Sequence, residues 1–492
     1  MGVRLARNSM NAPSEITNLN ATNLTAAIKS RQVSCVEVMD AFLDRIDRLN
    51  PSVNAIVSLQ DRDTLSKQAR ERDAQLERGE YLGPLHGFPI AIKDLEPTAG
   101  IRSTLGSPLF RDFIPRTDSI VAERMKRAGG IVIGKTNVPE FGLGSHTFNP
   151  VFGTTLNPYD HSKTAGGSSG GAAVALALRM LPVADGSDHA GSLRNPAAFN
   201  NVFGFRTSFG RVPADWREVF MRALSVHGPM ARNVPDLAML LSVLAGYDAR
   251  VPLSNRQPAA QFLEPLERDF KGTRVAWLGD FNGYLPFEPG VLELCRSSLR
   301  AFEDLGCIVE EAQPGYPVDR VWRSWLKLRA WQVGAILKEP YSDPARRALI
   351  KPEAQWEVEN GFKITAYEIA DASAVRTAWY HAVREIFEKY DFLVLPSAQV
   401  FPFDASLRWP QEVNGTAMDT YHRWMEVMIP ITMSGCPALG TPAGFNADGL
   451  PMGIQIVGPN HAEMGCMQLA HAYDQATRWV ERKRPPESPV MS

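Results

Sequence analysis

Residues 163–178, KTAGGSSGGAAVALAL, limit what this chain can become more than any other stretch. Glycines ahead of a helix are needed where the backbone must take positive φ or lie close against a ligand. The alanine-rich continuation, Gly170–Met180, reads as a small-residue helix and Leu181–Asp185 as a short strand. A phosphate loop would end in Gly-Lys-Ser/Thr, and this one does not. A literal GxSxG is present, Gly167–Gly171 around Ser169, but a nucleophile elbow needs an apolar strand directly before it, and here NPYDHSKTA is polar and turn-rich. A third reading is a glycine-lined loop that presents a serine hydroxyl without any His–Asp pair.

A second small-residue cluster follows, GSDHAGSLRNPAAFNNVFGF at 186–205. Successive backbone N–H groups before Ser192 can converge on one point, as an oxyanion hole requires; a tight turn packed on the core is the competing reading. A third segment, GPLHGFPIAIKDL at 83–95, turns into a buried strand that ends at Lys93. Burial disfavours the ammonium form, and a lysine neutral near pH 7 can act as a base, although a lysine at a strand end is more commonly solvated.

Elsewhere the apolar spacing predicts two helices between Thr22 and Asn50, broken near Arg31–Ser34, then helices at 61–78 and 118–129 and a strand at 131–134. Residues 273–312 read as β-α-β, 318–390 as mainly helical and rich in tryptophan, 392–397 and 452–458 as strands, and 462–477 as a closing helix. Residues 1–20 are polar and unpatterned and are expected to form a loose arm. With 492 residues, 44% hydrophobic, and no low-complexity linker, a single large α/β unit over 21–492 is expected, with 318–390 as a cap-like insertion.

The net charge of −2 argues against nucleic-acid and membrane-surface partners. Five scattered cysteines without CxxC spacing suggest reduced thiols, and no apolar run reaches signal-peptide or membrane-span length, so a soluble, cytoplasmic protein is expected. The nine histidines show no HExxH or paired spacing, so no metal site is expected.

Taken together, these segments resemble the amidase signature family. The lysine segment, GGIVIGKTNVPEFG (129–142), GGSSGG, GSDHAGSLRNPA and SGCPALGTPAGFNADGLPMGIQIVG (434–458) all carry the likeness, which spans nearly the whole chain. Ser168 lies 75 residues after Lys93, and Ser192 lies 24 after Ser168, the spacing the family uses. The resemblance implies a mixed central sheet covered by helices on both faces and no cofactor. By it, Ser192 is the nucleophile, Ser168 the bridging serine after a cis peptide bond, and Lys93 the base. Ser169 becomes a supporting hydroxyl, and the N–H groups of His189, Ala190, Gly191 and Ser192 the oxyanion hole. Asp188 and Arg194 would pin that loop, and Gly142 would face the substrate.

Two positions depart from the family pattern: His189-Ala190 stands where Thr-Gly is usual, and Ala165 where proline is frequent. The expected reaction is cleavage of a carboxamide, or a related carbamate, anilide or hydrazide, with water as the co-substrate. The alternative is an amidotransferase subunit passing ammonia from glutamine to a partner enzyme. Homodimers are common among such relatives. Trp322, Trp325 and the His422–Met428 stretch are expected to line an apolar substrate pocket.

Overall fold

Three strands form a small sheet: β1 (Ile56–Val57), β2 (Pro89–Lys93) and β3 (Ile131–Thr136), in the order β1-β3-β2. All five residues of β2 are buried, as its unbroken apolar run requires, and it lies parallel to β3. The computed structural model describes residues 13–216 and 218–487.

The larger sheet has eight strands: β4 (Ala184–Asp188), β5 (Phe203–Arg206), β6 (Val226–Ala231), β7 (Arg274–Trp277), β8 (Ile308–Glu311), β9 (Phe392–Pro396), β10 (Ala438–Phe445) and β11 (Pro451–Val457). Their order is β8-β7-β9-β11-β10-β5-β6-β4. It is mixed: β7 runs parallel to β8 and β9, whereas the pairs from β9 through to β4 are antiparallel. Helices flank it, including Arg194–Phe199 and Val291–Ser298 against β10 and β11, and Val234–Leu244 against β6. The protein is therefore α/β with a mixed central sheet, as expected.

The two sheets adjoin at β2 and β4. There the Lys93 N–H donates to the Asp185 carboxylate, 3.1 Å from Oδ1. Helix Gly170–Ala177, all of whose residues are buried, lies beside the same junction. A Cβ on Gly171 would sit 2.4 Å from Asn137 N and 2.5 Å from Ala55 O, so only glycine lets this helix approach the small sheet.

Several expectations shift. The strand expected at 181–185 is Ala184–Asp188, because ladder pairing with Val226–Met230 falls on ADGSD and not on the more apolar LPVAD. Residues 438–445, expected only as part of a family segment, form a central strand; Gly440 is there because a Cβ would meet the Arg194 backbone at 2.8 Å. The loose arm is corrected for 13–20. Pro13–Asn18 is helical, and Ile16 and Thr17 are buried, while 1–12 lie outside the described residues. The 318–390 segment comprises helices Val318–Ser342, Pro344–Arg347, Pro352–Gly361 and Ala366–Ile386.

Candidate active site

Lys93 closes β2 with its side chain fully enclosed, 0% exposed. Its Nζ lies 2.9 Å from Ser168 Oγ, 2.8 Å from Ser169 Oγ and 3.0 Å from Ser187 Oγ. These partners are hydroxyls, and no carboxylate forms an ion pair with it among the described residues. Burial therefore brings its pKa down to about 7, against the pull of Asp185, Glu96 and Asp188 at longer range. The Asp185 carboxyl is itself pushed up to about 6 by burial and by the neighbouring Glu96 charge, which weakens its hold on the lysine.

Ser168 follows a cis peptide bond from Gly167, as the resemblance implied. Ser169, the GxSxG serine, is buried at the head of helix Gly170–Ala177; it faces Lys93 and is not among the residues lining the cavity onto which Ser168 and Ser192 open. The Ser169 N–H donates to Ser192 O at 3.2 Å, which ties the two small-residue segments together.

Ser192 is held by the loop around Asp188. This carboxylate accepts from Arg194 Nε and Nη2 (3.0 Å each), from Arg206 Nη1 (3.0 Å), and from the N–H groups of Gly191 (2.9 Å) and Leu193 (3.2 Å). Burial alone would raise its pKa, but the two guanidiniums hold it far below the usual carboxylate range. Arg194 also reaches Thr432 Oγ1 at 2.9 Å and Gln455, so the loop is anchored to the central sheet.

Gly191 is needed twice: its φ is +97°, and a Cβ would lie 2.5 Å from Met428 Cγ. Its N–H is committed to Asp188, so of the four groups expected in the oxyanion hole only those of His189, Ala190 and Ser192 lack an acceptor among the described residues. Ala190 keeps its φ out of the left-handed region, so alanine replaces the usual glycine there without strain. Gly142 has φ +70°, and a Cβ on it would lie 3.5 Å from Ser168 Oγ, which places it beside Ser168.

A cavity of about 230 Å³ opens onto this group. Ser168, Ser187, Ser192, His189 and Gly142 line it, with Leu105, Phe141, Leu143, Val333 and Ile336 as its apolar wall. His189 Nδ1 lies 2.8 Å from Ser225 Oγ, and burial with the nearby Arg329 and Arg222 charges holds the imidazole well below its ordinary pKa. It is a neutral wall group bound to Ser225 and not to Ser192.

Trp322 and Trp325 do not line this cavity, contrary to expectation. They stack on each other 5.2 Å apart in the core, and Trp325 backs His189 at 6.2 Å. All of residues 422–428 except the half-buried Arg423 are likewise buried, with Met428 against Gly191. The same long helix instead reaches the cavity further along, with Arg329, Gln332, Val333 and Ile336. Arg329 is ion-paired, its Nε donating to Glu357 Oε1 (2.6 Å) and its Nη2 to Tyr421 Oη (2.8 Å). Residues that sequence reading missed are Glu96, Ser187, Trp216, Arg222 and Arg329. Only Ser187 carried a signal, two positions along the strand from Asp185.

A family model described as Amidase matches residues 37–467. An acylamidase from Rhodococcus erythropolis is 34% identical over 478 residues, covering 96% of this chain and 98% of that one. The A subunit of glutamyl-tRNA(Gln) amidotransferase from Thermosynechococcus vestitus is 32% identical over 474 residues, covering 92% and 97%. Among solved structures, a bacterial aryl acylamidase of the amidase signature family superposes with a TM-score of 0.89 at 28% identity, covering 97% of this chain and 100% of that one.

Proposed function

The chain belongs to the amidase family and hydrolyses amide C–N bonds, and we propose that it does so through an acyl-enzyme on Ser192 with Ser168 and Lys93 as the proton relay. The observation that carries this reading is a fully buried lysine, its pKa near 7, with Nζ 2.9 Å from Ser168 Oγ. Neutral Nζ takes the Ser168 proton as Ser168 takes that of Ser192, and Ser192 Oγ bonds to the amide carbon. The N–H groups of His189, Ala190 and Ser192 hold the oxygen as it becomes charged; one such donor is worth about 3–4 kcal/mol. The same path returns the proton to the leaving nitrogen as the C–N bond breaks. Water then cleaves the acyl-enzyme by the reverse relay.

Asp188, Arg194 and Ser169 support this arrangement: the first two fix the loop, and the third gives Lys93 a second hydroxyl. The cavity of about 230 Å³ falls below the usual ligand-pocket range of about 300–1,000 Å³, which suits a small acyl or aryl amide, the classes named for two of the relatives. Carbamates, hydrazides and a cytoplasmic homodimeric state belong to the same proposal. No described helix is long and apolar enough to cross a membrane.

The amidotransferase reading is supported by the relatives of that name. Release of ammonia or amine by the isolated chain from simple amides favours the free-standing hydrolase; turnover only with added partner proteins favours the other. The direct test of the relay is fluorophosphonate labelling, expected on Ser192 and abolished in Ser192→Ala. Labelling at Ser169 would overturn it.

A further inference from the structure

Buried guanidiniums among the described residues are all partnered, Arg232 by the carbonyls of Leu181 (3.0 Å) and Leu19 (2.6 Å) and the others by carboxylates. Arg45 meets Glu487, Arg179 meets Glu481, Arg194 and Arg206 share Asp188, Arg211 meets Glu463, and Arg329 meets Glu357. Arg222 departs from that pattern. It lies half-buried in the wall of the cavity that holds Ser168 and Ser192, and it makes no hydrogen bond or ion pair among the described residues. Its Nε is enclosed without an acceptor. It is held by the Trp216 ring, whose centroid is 4.2 Å from the guanidinium carbon, and Trp216 lines the same cavity.

The nearby carboxylates do not reach Arg222, although Glu96 lines the same cavity. Glu218 accepts the N–H groups of Phe220 (2.8 Å) and Met221 (2.9 Å), and Glu96 Oε1 faces His227 Nε2 at 3.5 Å. Both act on Arg222 through space, but neither forms an ion pair with it. Of the other cations at the cavity, Arg329 is neutralised by Glu357, and Lys93 is enclosed among hydroxyls.

A guanidinium is always charged, presents a planar fork of donors, and costs free energy if left half-desolvated without an acceptor. Stacking on an aromatic face fixes the plane of that fork and leaves its edge open. A fork without an acceptor is open to one, and a planar carboxylate meets it bidentately.

We propose that Arg222, oriented by Trp216, binds a carboxylate on the substrate, so that the preferred substrates are small amides carrying an anionic carboxylate and an apolar remainder. The apolar part packs against Phe141, Leu143, Val333 and Ile336. This rests on the reading that Ser192 attacks the amide bound in this cavity.

The test compares charged and neutral amides of like size. Succinanilate is set against butyranilide, with the carboxylate on the acyl side, and 4-acetamidobenzoate against 4-methylacetanilide, with it on the amine side. The wild-type protein is expected to favour the carboxylate member of at least one pair in kcat/KM. In Arg222→Gln that charged-to-neutral ratio is expected to fall about 30-fold, while Arg222→Lys, which keeps the charge, retains part of it. A ratio unchanged in Arg222→Gln, or a wild-type protein that favours the neutral member of both pairs, overturns the proposal.

A second readout needs no turnover. Benzoate, but not benzamide, is expected to raise the Tm of the wild-type protein and to slow fluorophosphonate labelling of Ser192, both effects being lost in Arg222→Gln. If no amide is cleaved and Ser192 is not labelled, the hydrolase reading fails while the benzoate shift still decides Arg222. If Ser192 is labelled and benzoate has no effect, the Arg222 proposal alone fails.

Discussion

Lys93 and Asp188 are both wholly enclosed, both charged in their ordinary forms, and close to the same serine loop, yet they behave in opposite ways. Lys93 is surrounded by hydroxyls, so desolvation prevails and its pKa falls to about 7. Asp188 is surrounded by Arg194, Arg206 and two backbone N–H groups, so pairing prevails and it stays ionised. Burial by itself therefore does not decide whether a group titrates. The nature of its neighbours does, and under the proposed relay that difference serves two tasks: one proton carrier and one fixed anchor.

The widest break in this comparison comes from removing the carrier. Lys93→Met is expected to lower kcat/KM about 10⁴-fold or more on any accepted amide, the scale seen when one member of a catalytic unit is lost. Its Tm should hold or rise, since a methionine removes a desolvated amine without orphaning any carboxylate partner. Near-wild-type turnover in steady-state assays would make Lys93 a structural residue.

Removing the anchor should act on stability first. Asp188→Asn leaves two buried guanidiniums facing an amide, with an expected loss of about 3–5 kcal/mol in denaturant unfolding. If that loss is under about 1 kcal/mol, the anchor is not an ionic one. A smaller effect is expected from Gly191→Ala, which forces alanine to φ +97° and against Met428. Here about 1–2 kcal/mol of stability should go with a fall in kcat, measured together.

The mildest test is pH. Activity should rise as Lys93 loses its proton through about pH 7 and then level off. For stability the sign is also set. A lysine with its folded pKa lowered from 10.5 to about 7 binds more protons when unfolded between those values, so stability rises with pH across that window. Below about pH 7 the cost is constant. Lys93→Met should flatten that rise, whereas the Asp188 contribution, present above the ordinary carboxylate pKa, is lost only on acidification below it.

Legibility in the sequence followed the range of the interactions. Ser34 with Glu37 forms a capping box and starts the helix at Cys35 where the predicted break ends, because a cap is a local motif. The β-α-β reading of 273–312 holds, since a helix between two short apolar runs can return only to a parallel neighbour. Val226–Ala231 and Ala438–Phe445, by contrast, contain glycine and proline and look like loops until they are seen paired. On the long helix, Trp322 and Trp325 share a face with Arg329, Gln332, Val333 and Ile336, as helical periodicity requires. Sequence could identify that face but not the position along it: Trp325 and Ile336 are about 16 Å apart along the axis.

For the proposed relay, spacing along the chain and the family likeness single out Lys93, Ser168 and Ser192; the structure brings Lys93 to Ser168 and sets Ser168 and Ser192 in one cavity. Gly171 and Gly191 were equally constrained, since a Cβ on either would meet neighbouring atoms at about 2.5 Å or less. What only the tertiary structure decided was partnership. That Lys93 meets hydroxyls while Asp188 meets guanidiniums, that Gly191 gives up its N–H to Asp188, and that Arg222 has an aromatic face but no ion pair among the described residues are facts about position in space. Charge and burial acquire chemical meaning only there, because Coulomb and desolvation energies depend on distances of a few ångströms that chain order does not specify.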